Sequence, residues 1–443
     1  MTKKTAKDKN HFNQGLLDFL KDSPTAFHAV ANMTKRLQEN DFIALDETQS
    51  WSLKPGGKYI VTRNQSSLIA FTLDSQKNNT AFRLIGSHTD SPGLRLKPNA
   101  EITFRNLIQT GTETYGGLLM APWFDRDLSL AGRIYFEDAN SQIHTELVDL
   151  KKPLAIIPSL AIHLDREVNQ NKSINPQKEL IPLWAVKMQE GIKNQDKEYN
   201  FKDLLLQALQ RQLTEKKIKK LLSHELYLYD TQAPSYLGWN DDFIASARLD
   251  NLLSCYIAME TLVAESKSNA LIVCNDHEEV GSNSAIGADG SFLKDVLERI
   301  YPEREALIRS IQQSMLISCD NGHAIHPNYP EKHDPQHSPL LNAGPIIKVN
   351  ANQRYASNGE TEAAFVAICE KNKIPYQRFV VRSDMACGST IGPITAAKLG
   401  IKTLDVGVPS LGMHSIREMV GSQDAYFLYQ ALQEFFSSNG HQK

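Results

Sequence analysis

The chain has 443 residues, of which 41% are hydrophobic, and its 48 Lys and Arg nearly balance its 51 Asp and Glu. It is too long for one compact core, which predicts two domains or one large domain with an insertion. No basic block favours nucleic acid or a membrane surface as partner, and no apolar run approaches the ~18 residues of a membrane span. Residues 1–10 lack the apolar segment of a secretory signal, and the five cysteines are nowhere spaced as CxxC. We therefore expect a cytoplasmic protein with reduced thiols that acts on peptides or small molecules.

The first part of the chain is predicted to hold two helices and three strands. Residues 16–20 give one apolar helical face, and Ser23-Pro24 is a typical cap and first-turn proline for a second helix. Residues 58–73 predict a β-hairpin. Residues 81–87 (AFRLIGS) predict a strand that leads directly into His88.

The pattern changes between residues 97 and 239. Short strand-like runs alternate with turn residues there, and a charged amphipathic helix is predicted over residues 201–222. We interpret residues 97–239 as an inserted domain with an oligomerisation or lid role. It would interrupt a catalytic domain made of residues 1–96 and 240–443.

Strands and helices alternate after residue 240, which predicts an α/β fold. Such alternation favours a mainly parallel mixed sheet flanked by helices, with the inserted β-rich domain beside it. Ligands of these sheets bind beyond the carboxyl ends of the strands. The predicted strands cover residues 270–275, 315–318, 345–349, 377–381 and 401–406, and the predicted helices cover residues 250–265, 291–299, 304–313, 360–372, 390–398 and 422–437.

Histidine and acidic residues follow several of these strands. Imidazole and carboxylate without thiolate are the ligands of a catalytic zinc centre, or of manganese or cobalt. Two adjacent carboxylates suit hydrolysis, because one binds an ion while its neighbour takes a proton from water. Any one of these residues alone is more often a solvated group or a helix cap, so only their combination favours a metal site. The set comprises His88, Asp90, Asp250, Glu278, Glu279, Asp320, Asp384 and His414.

Eight segments of the sequence together carry a family resemblance. They are residues 23–30 (SPTAFHAV), 88–92 (HTDSP), 248–251 (RLDN), 276–282 (DHEEVGS), 320–329 (DNGHAIHPNY), 348–358 (KVNANQRYASN), 387–393 (CGSTIGP) and 412–418 (GMHSIRE). These segments, spread over nearly the whole chain, resemble the aspartyl aminopeptidase family of dinuclear zinc exopeptidases. The resemblance is dense in the two flanks and thin in residues 97–239. It implies that the chain has a zinc exopeptidase-like fold and is a bacterial member of this family.

The resemblance implies two zinc ions per subunit, with manganese or cobalt as alternatives. Asp250 would bridge the ions, His88 and Asp320 would complete one site, and Glu279 and His414 the other. Glu278 would be the general base. Glu278 and its neighbour Glu279 can then have different roles, with Glu279 as a ligand. Successive side chains of an extended backbone diverge, so the two cannot easily bind one ion together. Asp90 is better placed to orient the His88 imidazole than to bind an ion, the alternative being a turn cap before Pro92.

For the substrate, the resemblance points to Glu278, His323, Lys348 and Tyr355, with His163 reaching in from a neighbouring subunit. The family forms homo-oligomers that are tetrahedral dodecamers. A lysine or histidine in the pocket would favour an acidic first residue. Two alternatives stay open: strand alternation alone permits Lys348 on a solvated edge, and His163 fits a core histidine.

The expected function is a metal-dependent aminopeptidase that hydrolyses the amino-terminal residue, preferentially Asp or Glu, from peptides. It would use water activated by two metal ions. One alternative is an aminopeptidase of the same family that prefers neutral residues. The other is a metal-binding assembly protein without turnover, which the presence of Glu278 disfavours.

Overall fold

The computed structural model describes residues 3–75, 80–187, 200–214, 218–265 and 268–437, with side chains from Lys7 onward. The chain divides into two compact units. The larger unit comprises Met1–Ser91, Pro234–Met413 and Glu418–Lys443, and the smaller comprises Pro92–Ala233 and His414–Arg417. The oligomerisation or lid role of the predicted insertion stays a prediction.

Two helices and four strands make up the first segment of the larger unit. The second helix begins at Ala26 with Thr25 as its N-cap, so the predicted cap at Ser23 is wrong. The Ser23 hydroxyl instead accepts a hydrogen bond from the Asn32 side chain at 3.0 Å. The elements are α1 (Lys3–Asp22), α2 (Ala26–Gln38), β1 (Ile43–Leu45), β2 (Lys58–Arg63), β3 (Ser67–Thr72) and β4 (Arg83–His88).

The smaller unit is built on an antiparallel sheet. Its described strands follow the order β8-β7-β10-β5-β6-β9, and α5 packs Phe201, Leu205 and Leu209 into the core of this unit. The elements are β5 (Gly93–Phe104), β6 (Leu107–Tyr115), β7 (Leu128–Asp138), β8 (Ile143–Asp149), α3 (Val168–Asn171), α4 (Pro176–Glu179), β9 (Leu183–Val186), α5 (Phe201–Gln212) and β10 (Ile218–Asp230).

The predicted helix over residues 201–222 is wrong in its last part. Helix α5 ends at Gln212, residues 215–217 lie outside the described residues, and the chain is in strand β10 from Ile218. Strand β10 pairs with β7 along its length, from Ile218 opposite Asp138 to Asp230 opposite Leu128. Because this pairing joins segments about 90 residues apart, local periodicity cannot reveal it.

The second flank carries most of the larger unit. The strands and helices predicted for this flank lie within a few residues of their predicted positions, and five further short strands are present among the described residues. They are β11 (Ser235–Leu237), β12 (Phe243–Ser246), α6 (Leu249–Ala264), β13 (Ala270–Asn275), α7 (Phe292–Ile300), α8 (Arg304–Gln313), β14 (Met315–Cys319), β15 (Gly322–His323), β16 (Ile346–Val349), α9 (Gly359–Asn372), β17 (Gln377–Val380), α10 (Ile391–Leu399), β18 (Lys402–Gly407), β19 (Pro409–Leu411), β20 (Glu418–Gly421) and α11 (Asp424–Ser437).

The main sheet of the larger unit is mixed and mainly parallel, which confirms the predicted fold class. Its described strands run in the order β1-β2-β3-β13-β4-β14-β18-β16-β17. Strands β13, β4, β14 and β18 are mutually parallel, whereas β3 pairs antiparallel with β2 and β13, and β16 with β18. A smaller sheet of the order β11-β12-β20-β19-β15, which the sequence did not predict, completes the described strands.

Helices cover both faces of the main sheet. Every residue of β13 is buried, and alternate residues face different cores: Ile272 packs with α6 and α11, whereas Leu271 packs with α7. Parallel neighbours end at the same sheet edge, so the carboxyl ends of β13, β4 and β14 lie side by side. None of the described helices combines the length and apolar character needed to cross a bilayer.

Candidate metal centre

A histidine and two carboxylates from distant parts of the chain meet at this sheet edge. His88 is the last residue of β4, Asp250 lies at the start of α6, and Glu279 lies in a short 3-10 turn after β13. Each offers one ligand atom, and these atoms lie within 4.8 Å of one another. The His88 Nε2 atom is 3.4 Å from Asp250 Oδ1, and both side chains are buried. The spacing of these ligand atoms suits one cation, or two cations that share a ligand.

Asp320 joins the group from the next parallel strand, β14. Its Oδ1 lies 3.6 Å from His88 Nε2, and its Oδ2 lies 3.2 Å from Lys348 Nζ. Lys348 Nζ also donates to the Asn321 carbonyl oxygen at 2.8 Å. Burial opposes ionisation of Asp320, but Lys348 and His88 outweigh it and lower the pKa of this carboxyl. Asp320 is therefore held as a carboxylate beside His88.

The structure overturns the solvated-edge alternative for Lys348. Its side chain is 2% exposed, and β16 lies inside the sheet between β18 and β17. A buried ammonium needs a partner, which Asp320 supplies.

Glu278 and Glu279 share a tight turn, not the predicted extended backbone. The 3-10 turn Glu278–Val280 is flanked by His277 with φ 64° and Gly281 with φ 96°. Glu278 Oε2 lies 4.0 Å from His88 Nε2. Burial raises the pKa of Glu278 to about 7, the nearby carboxylates of Asp320, Asp90 and Asp250 add to the rise, and His88 opposes it. Burial and the Asp250 charge likewise raise the pKa of Glu279.

Asp90 ties His88 to this turn. Its two carboxylate oxygens accept the backbone N–H groups of Glu278 and Glu279, each at 3.1 Å. Its Oδ1 also lies 3.4 Å from His88 Nδ1, on the side of the ring opposite Nε2. This geometry matches a residue that orients a ligand imidazole.

The remaining members of the predicted set are His414 and Asp384. His414 belongs to the smaller unit, where its Nδ1 lies 3.0 Å from the Gly117 carbonyl oxygen, and its ligand role stays a prediction. Asp384 is exposed and forms an ion pair with Arg382 at 2.6 Å.

Three of the predicted substrate contacts cluster around Phe379. The rings of His323 and Tyr355 have centroids 5.9 and 6.4 Å from that of Phe379, and Lys348 Nζ lies 5.3 Å from the centroid of Tyr355. We call His88, Asp250, Glu279 and Asp320 the acidic group. Because Lys348 also contacts Asp320, the cluster around Phe379 adjoins the acidic group. His163 is exposed in the smaller unit, so the core-histidine alternative is wrong. Its reach into a neighbouring subunit stays a prediction.

The chemistry of these residues fits a divalent cation. The donors are an imidazole and carboxylate oxygens, the set that zinc, manganese and cobalt accept. Together with burial, the Asp250 charge raises the pKa of both Glu278 and Glu279, and a bound cation would relieve that repulsion.

Sequence reasoning missed one buried acid at this site. Glu418, the first residue of β20, is 2% exposed, and its Oε2 accepts the backbone N–H of Asp250 at 2.8 Å. The available signal was its position four residues after His414 in the GMHSIRE segment.

Comparison with known proteins yields one family throughout. A family model described as "Aminopeptidase I zinc metalloprotease (M18)" matches residues 19–436. A "Probable M18 family aminopeptidase 2" from Pseudomonas aeruginosa (strain UCBPP-PA14) is 51% identical over 431 residues, which cover 96% of this chain and 98% of the relative. A protein of the same name from Azotobacter vinelandii is 51% identical over 432 residues, covering 97% of this chain and 99% of its own.

Solved structures agree over nearly the whole chain. A cryo-EM structure of an Ape4 and Nbr1 complex matches with a TM-score of 0.92 and 39% identity, covering 98% of this chain and 87% of that one. The S. cerevisiae mApe1 dodecamer matches with a TM-score of 0.81 and 28% identity, covering 97% of both chains. An M18 aminopeptidase from Thermotoga maritima, 21% identical with a TM-score of 0.85 over 97% of this chain and 96% of that one, shares the fold.

Proposed function

The chain belongs to the M18 family of zinc metalloaminopeptidases, and from this premise we propose that it removes amino-terminal Asp or Glu residues from peptides with two zinc ions per subunit. It is a metal-dependent hydrolase of the aminopeptidase class. The observation that carries the proposal is the group of His88, Asp250 and Glu279, whose ligand atoms lie within 4.8 Å of one another at the sheet edge.

The ligand assignment divides this group between two ions. Asp250 would be the shared ligand, His88 and Asp320 would complete one site, and Glu279 and His414 would complete the other. Bound zinc, or manganese or cobalt in its place, lowers the pKa of water and polarises the peptide carbonyl group. The support is the donor chemistry and the 3.4 and 3.6 Å separations of His88 Nε2 from Asp250 and Asp320.

Glu278 is proposed as the general base. It accepts a proton from the attacking water and then gives it to the leaving amine. Its Oε2 lies 4.0 Å from His88 Nε2, so its carboxyl group is beside the proposed metal ligands. Asp90 fixes the turn, since its carboxylate accepts hydrogen bonds from the N–H groups of both Glu278 and Glu279.

His163, Glu278, His323, Lys348 and Tyr355 are proposed to contact the substrate. Lys348 and His323 would supply positive charge for an acidic first side chain. One observation favours a second candidate, an aminopeptidase that prefers neutral residues. The Lys348 ammonium is 2% exposed and contacts Asp320 Oδ2 at 3.2 Å, so part of its charge is already compensated.

We further propose that the chain forms a homo-oligomer, a tetrahedral dodecamer, in which His163 serves a neighbouring subunit. A dodecameric M18 relative with the same fold supports this assembly. So does the exposed loop around His163, where Leu160 is 57%, Ile162 45% and Leu164 75% exposed. The five cysteines are free thiols, which suits the expected cytoplasmic location.

Hydrolysis of Asp-, Glu- and Leu-anilides by the full chain, with added zinc, manganese or cobalt, tests the proposal. We expect chelator-sensitive turnover with Asp and Glu favoured over Leu. Faster turnover of Leu would replace acidic with neutral specificity. No hydrolysis by the metal-loaded protein would leave the assembly alternative and refute the proposal.

A further inference from the structure

Asp250 sits where helix geometry does not fix its backbone. It is the second residue of α6, but its φ of −85° and ψ of 105° are not helical, and neither are those of Asn251. The residue before the helix, Arg248, has a left-handed φ of 61°. The first N–H groups of a helix have no partner within the helix, so other groups must hold this turn.

Side chains of three residues hold the backbone around Asp250. Glu418 Oε2 accepts the Asp250 N–H at 2.8 Å, and the Ser91 hydroxyl donates to the Asp250 carbonyl oxygen at 2.6 Å. The Asn251 side chain donates to the Cys319 carbonyl oxygen at 2.8 Å. We call Ser91, Asn251 and Glu418 the Asp250 clamp. Glu418 and Asn251 are 2% and 0% exposed, so water does not compete for these bonds.

Each member of the clamp connects Asp250 to a segment that carries another proposed ligand. Ser91 lies three residues after His88, and Cys319 directly precedes Asp320. Glu418 lies four residues after His414. A shift of the Asp250 backbone would therefore be resisted by the segments that follow His88 and precede Asp320, and by Glu418. This arrangement suits a carboxylate that must face more than one ion at fixed distances.

We infer that Glu418 is a positioning residue that holds Asp250 in the orientation required for metal binding. The inference rests on the proposed ligand role of Asp250. Glu418 holds Asp250 by accepting a hydrogen bond from its main-chain N–H. A side chain of the same shape with one acceptor oxygen should therefore preserve much of its effect, whereas truncation should remove it.

The test is the zinc dissociation constant of the full chain, measured by competition with a chromophoric chelator. Loss of a residue that supports a metal ligand typically weakens metal binding about 10–100-fold. We expect Glu418→Ala to weaken zinc binding within that range. Glu418→Gln should bind zinc more nearly as the wild type does.

Asp424→Ala is the matched control. Asp424 is also a buried acid of the larger unit, and its oxygens accept the N–H groups of Asn342 and Gly344 at 2.6 and 2.9 Å. Its removal should lower the melting temperature of the metal-free protein and leave zinc affinity nearly unchanged. The inference fails if Glu418→Ala binds zinc like the wild type, or if both alanine variants lose zinc affinity equally.

The same assay separates this inference from the proposed function. Asp250→Ala and His88→Ala remove proposed ligands and should weaken zinc binding directly. If they do so while Glu418→Ala does not, only the positioning role is lost. If none of the three affects zinc binding, the ligand assignment itself is wrong.

Discussion

The acidic group at the main sheet edge and the loop around His163 contrast in how their side chains are held. His88 and Asp250 are 1% and 3% exposed, and they are contacted by Asp90, Asp320 and Glu418 of the same unit. Leu160 and Leu164, in the smaller unit, are 57% and 75% exposed. Buried polar groups fixed by hydrogen bonds are typical of a preformed metal site. Several exposed apolar residues close together are typical of a surface that meets another chain.

The difference indicates two separate requirements for activity. The sheet edge should bind metal within a single chain, whereas His163 should contribute only when a second copy is present. Variants of the first region should therefore act on metal binding and chemistry. Variants of the second should act on assembly and on activity while metal binding persists.

Glu278→Gln should give the largest effect. Loss of a general base typically costs about 10²–10⁴-fold in rate, so kcat should fall by this factor while zinc content stays at the wild-type level. Glu279→Gln is the matched control at the neighbouring position, where zinc content should fall instead. Undiminished turnover by Glu278→Gln would refute the assigned base.

Lys348→Ala should give the next largest effect. Breaking a buried ion pair by removing one partner costs about 3–5 kcal/mol, because the remaining charge stays buried and unpaired. We expect a lower unfolding free energy in denaturant titration, weaker zinc binding through Asp320 and a smaller ratio of Glu- to Leu-anilide turnover. Lys348→Arg, which keeps the charge, should lose less. An unchanged substrate ratio would remove Lys348 from the specificity pocket.

Leu164→Asp should disturb assembly without touching the acidic group. A charge placed in an apolar contact between subunits is unfavourable, so the main species in analytical ultracentrifugation should shift to lower mass. Ile143→Asp is a control in the same unit, at a residue that is 70% exposed on β8. Unaltered mass for Leu164→Asp, or an equal shift for both variants, would contradict a specific role for this loop.

The smallest effect concerns the pH dependence of the metal-free protein. The pKa of Glu278 is raised in the folded state to about 7 from an unfolded value of 4.5. The stability that its protonated form contributes is thus present below the unfolded pKa and is lost as pH rises through about 7. The melting temperature of chelator-treated protein should fall over this interval, and Glu278→Gln should reduce the slope. A melting temperature that rises equally in both proteins would contradict this assignment.

The sequence predicted the sheet edge because its signals are local. Apolar runs ending at His88, Asn275 and Cys319 mark buried strands, and parallel strands place their carboxyl ends together. The resemblance supplied the residue roles, which spacing alone could not. Fold class and family are confirmed by the structure and the comparisons, whereas the ligand and substrate roles remain predictions.

Three of the errors and omissions share a physical cause, which is dependence on distant contacts. The start of strand β10 was predicted as helix, because its pairing partner β7 lies far away in sequence and local periodicity does not reveal it. Alternation along β16 could not place Lys348 inside the sheet, since burial there depends on β17 and β18. The contact of Glu418 with Asp250 joins residues 168 positions apart.

Anomalous diffraction at the zinc absorption edge, from crystals of the zinc-loaded chain, tests the central claim most directly. We expect two peaks with Asp250 between them and with the ligand atoms of His88, Asp320, Glu279 and His414 at about 2.0–2.2 Å from a peak. Peaks elsewhere, or a single peak that Asp250 does not contact, would contradict the two-metal site.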